Sequence, residues 1–233
     1  ATIIRELDNY VAPDSEVTIV ADVDTVGTDL EICCSELTNQ KITFQQADTT
    51  NRRVLEGLNL RHFNHIILLC YSDSMDVQRA DAHTLVTLLH LRDIADRDGT
   101  KFTIVSEMLD IRNRNLADVT RADDFIVSDK LVSLMIAQIT ENKYLNGVFA
   151  DMFDPEGSEI YLKPAAEYVQ LGKPVNFYTI VETARRRNQV AIGYRLQANS
   201  QDAANGYGVK INPDKAEMVT FTDHDRIVVI SEE

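Results

Sequence analysis

His65-Ile66-Ile67-Leu68-Leu69-Cys70-Tyr71, then the run from Met75 to Arg97, then Lys101-Phe102-Thr103-Ile104-Val105 is the stretch that decides the fold. The first segment is a continuous apolar run rich in β-branched residues, as expected for a strand buried on both faces. The second places Val77, Ala80, Leu85, Leu88, Leu89, Leu91 and Ile94 along a long amphipathic helix. The third is another strand. Two such strands joined by a helix make parallel α/β structure.

The alternation extends in both directions. Upstream, Ile3, Ile4, Leu7 and Val11 fall at helical spacing until Pro13-Asp14 ends the segment. Val17 to Asp22 and Ile42-Thr43-Phe44 are predicted strands, with short helices predicted over 30–37 and 52–58. Downstream come a helix over 112–119 and a strand at Phe125-Ile126-Val127. Residues 1–130 thus read as a doubly wound, Rossmann-like α/β domain with a parallel sheet. Leu131, Leu134, Met135, Ile139, Leu145 and Phe149 predict a single long crossover helix over 131–154. Past Asp154-Pro155-Glu156-Gly157 the pattern changes. Strands over 160–162, 190–194 and 226–230, with a helix over 177–187, predict a smaller α+β domain from 155 to 233.

Composition removes several classes of function. With 44% hydrophobic and 26% charged residues in 233, the chain is neither disordered nor a repeat protein. A net charge of −14 repels phosphate backbones, and the only basic run is Arg185-Arg186-Arg187, so nucleic acid is not an expected partner. Three cysteines, two of them adjacent (Cys33 and Cys34), suit a reducing cytosolic compartment. The longest apolar run, Ile66 to Tyr71, falls far short of the ~20 residues that span a bilayer. No GxSxG, HExxH, phosphate-loop or EF-hand spacing occurs, and no nucleophile has a recognisable base partner. His83 and His90 are seven apart, two turns rather than the single turn of a helical metal pair. The chain is therefore not expected to be an enzyme.

A doubly wound sheet binds its ligand at the carboxyl ends of its strands. Those ends carry Asp22 and Asp24, then Asp48 with Thr49, then Ser72 and Asp73, and these six are the candidate cleft residues. Carboxylates there either accept hydrogen bonds from ribose hydroxyls or cap the following helix. No Gly-rich turn follows Val17 to Asp22. Either residues 24–28 replace that turn, or the true first strand lies upstream of Ala1, the reading preferred for a chain that opens on a helix without a cap. A second acidic group, Asp151, Asp154, Glu156 and Glu159, offers hard oxygen ligands to Ca²⁺ or remains simply solvated.

Several blocks carry a resemblance. Ala47-Asp48-Thr49-Thr50-Asn51 with Leu55 is similar to the G-D-A-T segment of RCK (TrkA-N) domains, although Gln45-Gln46 stand where the glycine falls. Ala80 to Leu85, Leu88 to Ile94, Ile104 to Arg114, Ala122 to Ser133, Glu156 to Ala165, Ala184 to Arg187, Ile192 to Arg195 and Ile211-Asn212-Pro213 resemble the C-terminal cytosolic region of the CASTOR/POLLUX ion-channel family and its bacterial relatives. That resemblance implies a cytosolic gating-ring domain of a membrane cation channel, potassium being the expected ion. It further implies homodimers building a tetrameric ring beneath the channel's own pore. The long helix from Leu131 would help form the dimer. Ligand binding in the cleft would bias pore gating. The ligand stays open between a nucleotide (NAD, NADH, ATP or ADP), Ca²⁺ and none. Two alternatives remain: a soluble nucleotide-sensing subunit of a potassium transporter, and an NAD-dependent oxidoreductase, for which neither a phosphate loop nor a proton donor is present.

Overall fold

A computed structural model describes residues 2–23, 30, 36–113, 124–200 and 202–232. The chain divides into two compact units, residues 1–142 and 143–233. The first is α/β with parallel strands. Helix α1 (Thr2–Asp8) leads into β1 (Ser15–Ala21), which pairs in parallel with β2 (Gln40–Gln46), Ser15 opposite Gln40 and Ala21 opposite Gln46. Helix α2 (Arg52–Gly57) follows, then β3 (His65–Leu68), helix α3 (Val77–Asp98), β4 (Thr103–Met108) and β5 (Asp124–Val127). These last three strands form a parallel sheet in the order β3-β4-β5.

Helix α3 shows why the sequence folds this way locally. The Asp76 carboxylate accepts from the Arg79 amide and caps the first turn, while Gly99 ends the helix in the left-handed region at φ 62°. Between them Ala80, Thr84, Leu88, Leu91, Ile94 and Ala95 are buried at helical spacing. Leu88, Leu91 and Ile94 pack with Leu55, Leu60, Phe102 and Ile104 into one core, against which Ile66 and Leu68 of β3 rest. Fully burying a Leu or Ile contributes roughly 1.5–3 kcal/mol, so this cluster fixes α2 and α3 on one face of the sheet.

The helix expected over 131–154 is two helices. One, α4 (Ser128–Glu141), stops at Asn142, which adopts an extended conformation (φ −145°, ψ 104°); the other, α5 (Leu145–Met152), begins after Tyr144. The division between units falls at this break. Apolar periodicity carries across it because both helices expose apolar residues. None of the described residues of either helix is buried.

The second unit is antiparallel. Strands β6 (Glu159–Pro164), β8 (Val190–Arg195), β9 (Val209–Ile211) and β11 (Arg226–Ser231) form a sheet in the order β6-β11-β8-β9, and β7 (Pro174–Asn176) pairs with β10 (Met218–Thr220). Pro164 is the last residue of β6, opposite Arg226. Helix α6 (Phe177–Arg186), capped by Asn176, buries Phe177, Ile180 and Ala184 against Tyr194, Phe221, Ile227 and Val229. The expected helices over 30–37 and 112–119 fall largely outside the described residues; Ile111–Asn113 forms a short 3-10 turn.

Candidate functional site

The carboxyl ends of β1, β2 and β3 converge. The backbone N–H of Asp22, just past β1, donates to the Tyr71 hydroxyl oxygen at 3.1 Å. The Tyr71 ring meets the His83 ring edge-on, 4.8 Å between centroids and 75° between planes. His83 Nε2 lies 3.4 Å from Asp48 Oδ1, beyond the end of β2. One turn further along α3, Thr87 Oγ1 is 3.1 Å from Thr49 Oγ1 and donates to the His83 carbonyl at 3.0 Å. A polar chain thus runs from Asp22 through Tyr71 and His83 to Asp48 and Thr49.

Each group is held from below. Asp48 Oδ1 accepts from the Thr50 amide at 2.8 Å and the Thr50 hydroxyl at 2.7 Å. Those two hydrogen bonds keep the Asp48 carboxyl below its ordinary value of 3.8, partial desolvation opposing them and His83 adding to them. Asp48 is therefore an ionised acceptor at neutral pH with half of its side chain still open to solvent (49% exposed). Such a carboxylate can accept hydroxyl donors from a ligand.

Beside this chain lies a rigid polar support. Asp81 is fully buried on α3, and its carboxylate accepts from the Leu109 amide at 2.9 Å, the Asp110 amide at 3.1 Å and Asn113 Nδ2 at 2.7 Å. The Cys70 thiol donates to the same carboxylate at 3.5 Å. Glu107 accepts from the Cys70 amide at 3.0 Å and from the Ser128 hydroxyl. Together they tie the ends of β3 and β4 to the start of α4. Burial, with the Asp81 and Glu107 carboxylates nearby, pushes the Cys70 thiol up to about 12 despite the Thr84 contact, so the thiol is an inert packing group.

A shallow cleft of about 450 Å³ opens next to this support, lined by Gln78, Leu109, Asp110, Arg112, Val127 and Lys130. Arg112 closes on Asp110 through three contacts and holds its carboxyl at about 2. The two charges are paired with each other there, with Arg112 largely open to solvent.

Of the six expected cleft residues, Asp22, Asp48 and Thr49 come together. Ser72 and Asp73 are exposed in the turn between β3 and α3, and Asp24 lies outside the described residues. Tyr71 and His83, which connect the site, were not singled out as cleft residues. The signal was the placement of Tyr71 at the end of the deciding strand and of His83 two turns into the helix after it. The second acidic group is not gathered: among the described residues no three side chains of the His, Cys, Asp and Glu types are placed to hold a metal. Asp154 Oδ1 instead accepts from the Glu156 amide at 2.9 Å, and Glu159 accepts from the Tyr161 hydroxyl at 2.7 Å. Asp151, in α5, joins neither contact.

No protein-family model matches the sequence. Among solved structures, similarity is found to the crystal structure of the GsuK RCK domain, with a TM-score of 0.40 and 13% identity over 94% of this chain and 44% of that one. Similarity in sequence is stronger. The chain is 30% identical to the probable ion channel POLLUX of Arabidopsis thaliana over 98% of its own length and 31% of that protein. It is 31% identical to the ion channel CASTOR of Lotus japonicus, over 98% of this chain and 30% of that one, and 31% identical to the ion channel DMI1 of Medicago truncatula, over 97% and 29%. The chain therefore spans under a third of the length of these relatives. Among the described residues no helix is long and apolar enough to cross a membrane. Over nearly its whole length, this chain is a relative of one segment of the CASTOR/POLLUX family of ion channels.

Proposed function

We propose that this chain is a cytosolic regulatory domain of a cation channel, potassium being the preferred ion, and that it works by sensing a ligand rather than by catalysis. The observation that carries the reading is the convergence of Asp22, Tyr71, His83 and Asp48 at the carboxyl ends of parallel strands. In an open α/β sheet this is where ligands bind. The site offers a carboxylate acceptor, a phenol and an imidazole but no juxtaposed nucleophile and base, which suits recognition of a hydroxyl-rich ligand such as the ribose of a nucleotide. Ligation would favour one arrangement of a ring of such domains, and a coupling of about 1–3 kcal/mol per site, multiplied around the ring, biases a gate strongly. The apolar faces of α4 and α5 support assembly into that ring, beginning with a homodimer.

The test is a thermal-shift titration with NAD, NADH, ATP, ADP and Ca²⁺. A ligand at 100 times its Kd adds about 2.7 kcal/mol. The expected result is a rise in Tm with at least one nucleotide that disappears in Asp48→Ala. A rise with Ca²⁺ alone, or with none of the five, overturns the nucleotide reading.

A further inference from the structure

Tyr71 stands just past β3, and two contacts fix where its side chain lies. Its hydroxyl oxygen accepts from the Asp22 amide at 3.1 Å, and its ring meets the His83 ring edge-on with 4.8 Å between centroids. His83 in turn lies 3.4 Å from the Asp48 carboxylate. The phenol therefore fills the space between the Asp22 backbone and the His83–Asp48 pair. An open α/β sheet receives its ligand at these strand ends. The Asp22 amide, the first N–H past β1, is spent on the chain itself.

The two ends of Tyr71 are held unequally. Its carbonyl accepts from the Ser74 amide at 3.3 Å and the Met75 amide at 3.0 Å, which fixes its backbone in the turn. Its hydroxyl makes one hydrogen bond, and among the described residues no acceptor takes its proton. Ser72, Asp73 and Ser74 beside it are exposed. One neutral hydrogen bond favours the bridged arrangement over an unbridged one by roughly 2- to 13-fold. The side chain can thus swing away at small cost while its backbone stays in place. Asp48, by contrast, is fixed by two hydrogen bonds from Thr50. Of the groups facing this space, the tyrosine is the one that yields.

We propose that Tyr71 is a built-in stopper of the cleft. In the free chain it occupies the ligand's place and holds the Asp22 amide, and a hydroxyl-bearing ligand binds by displacing it. The proposal rests on the reading of this cleft as a nucleotide site and adds a competitor carried on the chain itself. A ligand that binds only the unbridged form loses affinity in proportion to how rare that form is, here by roughly 3- to 14-fold. The stopper therefore sets the ligand concentration at which the site fills, and it keeps the empty site in one defined arrangement.

The test compares the full chain with Tyr71→Phe, which keeps the ring but loses the hydroxyl, and with Tyr71→Ala. Without ligand, hydrogen exchange at the Asp22 amide is expected to quicken by roughly 2- to 13-fold in Tyr71→Phe. In calorimetric titrations with NAD and with ATP, both variants are expected to bind roughly 3- to 14-fold more tightly than the parent. That gain disappears when Asp48→Ala is added, since the tightened site is the same cleft. If Tyr71→Ala does not fold, Tyr71→Phe alone carries the comparison. Affinity that is equal or weaker in the variants, with the parent still binding, makes Tyr71 a support for the ligand; the stopper is then overturned and the nucleotide reading stands. Unchanged exchange at Asp22 overturns the stopper as well. Binding of neither nucleotide to any of the proteins overturns the nucleotide reading and the stopper together.

Discussion

Two kinds of buried or half-buried acid do different work at the scale of single residues. Asp48 is a solvent-facing acceptor, whereas Asp81 is an internal strut, taking two backbone amides and the Asn113 side chain. Replacing Asp81 by Leu leaves those donors buried without an acceptor, each such loss costing about 1–3 kcal/mol. Urea denaturation of Asp81→Leu is expected to show a loss of about 2–4 kcal/mol, with Asp81→Asn recovering part of it, since one acceptor oxygen remains. A variant as stable as the parent would show that the loop after β4 holds itself in place. Asp22 and Asp48 could be found in the sequence because each follows a β-branched run, where the chain must leave the sheet. Tyr71 ends such a run as well, but its link to Asp22 and His83 could not be read that way. Nothing in their spacing links residue 71 to residue 22, and only the packing of α3 across the strand ends brings them together.

Among the elements, α4 stands out. It exposes Leu131, Val132, Leu134 and Ile136, each at about half its full area, and α5 exposes Val148, with Phe153 exposed just past its end. An exposed set of this kind marks an interaction surface. The proposed homodimer is expected to be lost in the double variant Leu134→Asp and Ile136→Asp, which runs as a monomer in sedimentation velocity with unchanged helical circular dichroism. Association that survives the pair of charges places the contact elsewhere. The long elements were readable from the sequence because α3, β3, β6, β8 and β11 carry strong periodicity or apolar runs. The three-residue strands β7, β9 and β10 were not, because so short a segment becomes a strand only through its partner. The break at Asn142 was equally hidden, having neither Pro nor Gly to announce it.

For the whole molecule, the titrating groups define a plateau of stability. Carboxylates whose folded values are depressed, Asp8 and Asp48 by direction and Asp110 and Glu182 at about 2, contribute above their unfolded values and stop contributing as pH falls through their folded ones. Cys70 works from the other side: its proton is retained until about 12, so its share is complete below about 9 and is lost as pH rises from there. The urea midpoint is therefore expected to be flat between about pH 4.5 and 9 and to fall on both sides, with the acid limb shallower in Asp48→Asn. A midpoint that rises on acidification below pH 4 would contradict this. The division of the chain has a different kind of consequence. Each unit is one uninterrupted run of codons, and one recombination point between codons 142 and 143 parts them without cutting a strand or a helix. Either half can thus be inherited, duplicated or exchanged as a single genetic block, so the two can acquire their substitutions under separate selection.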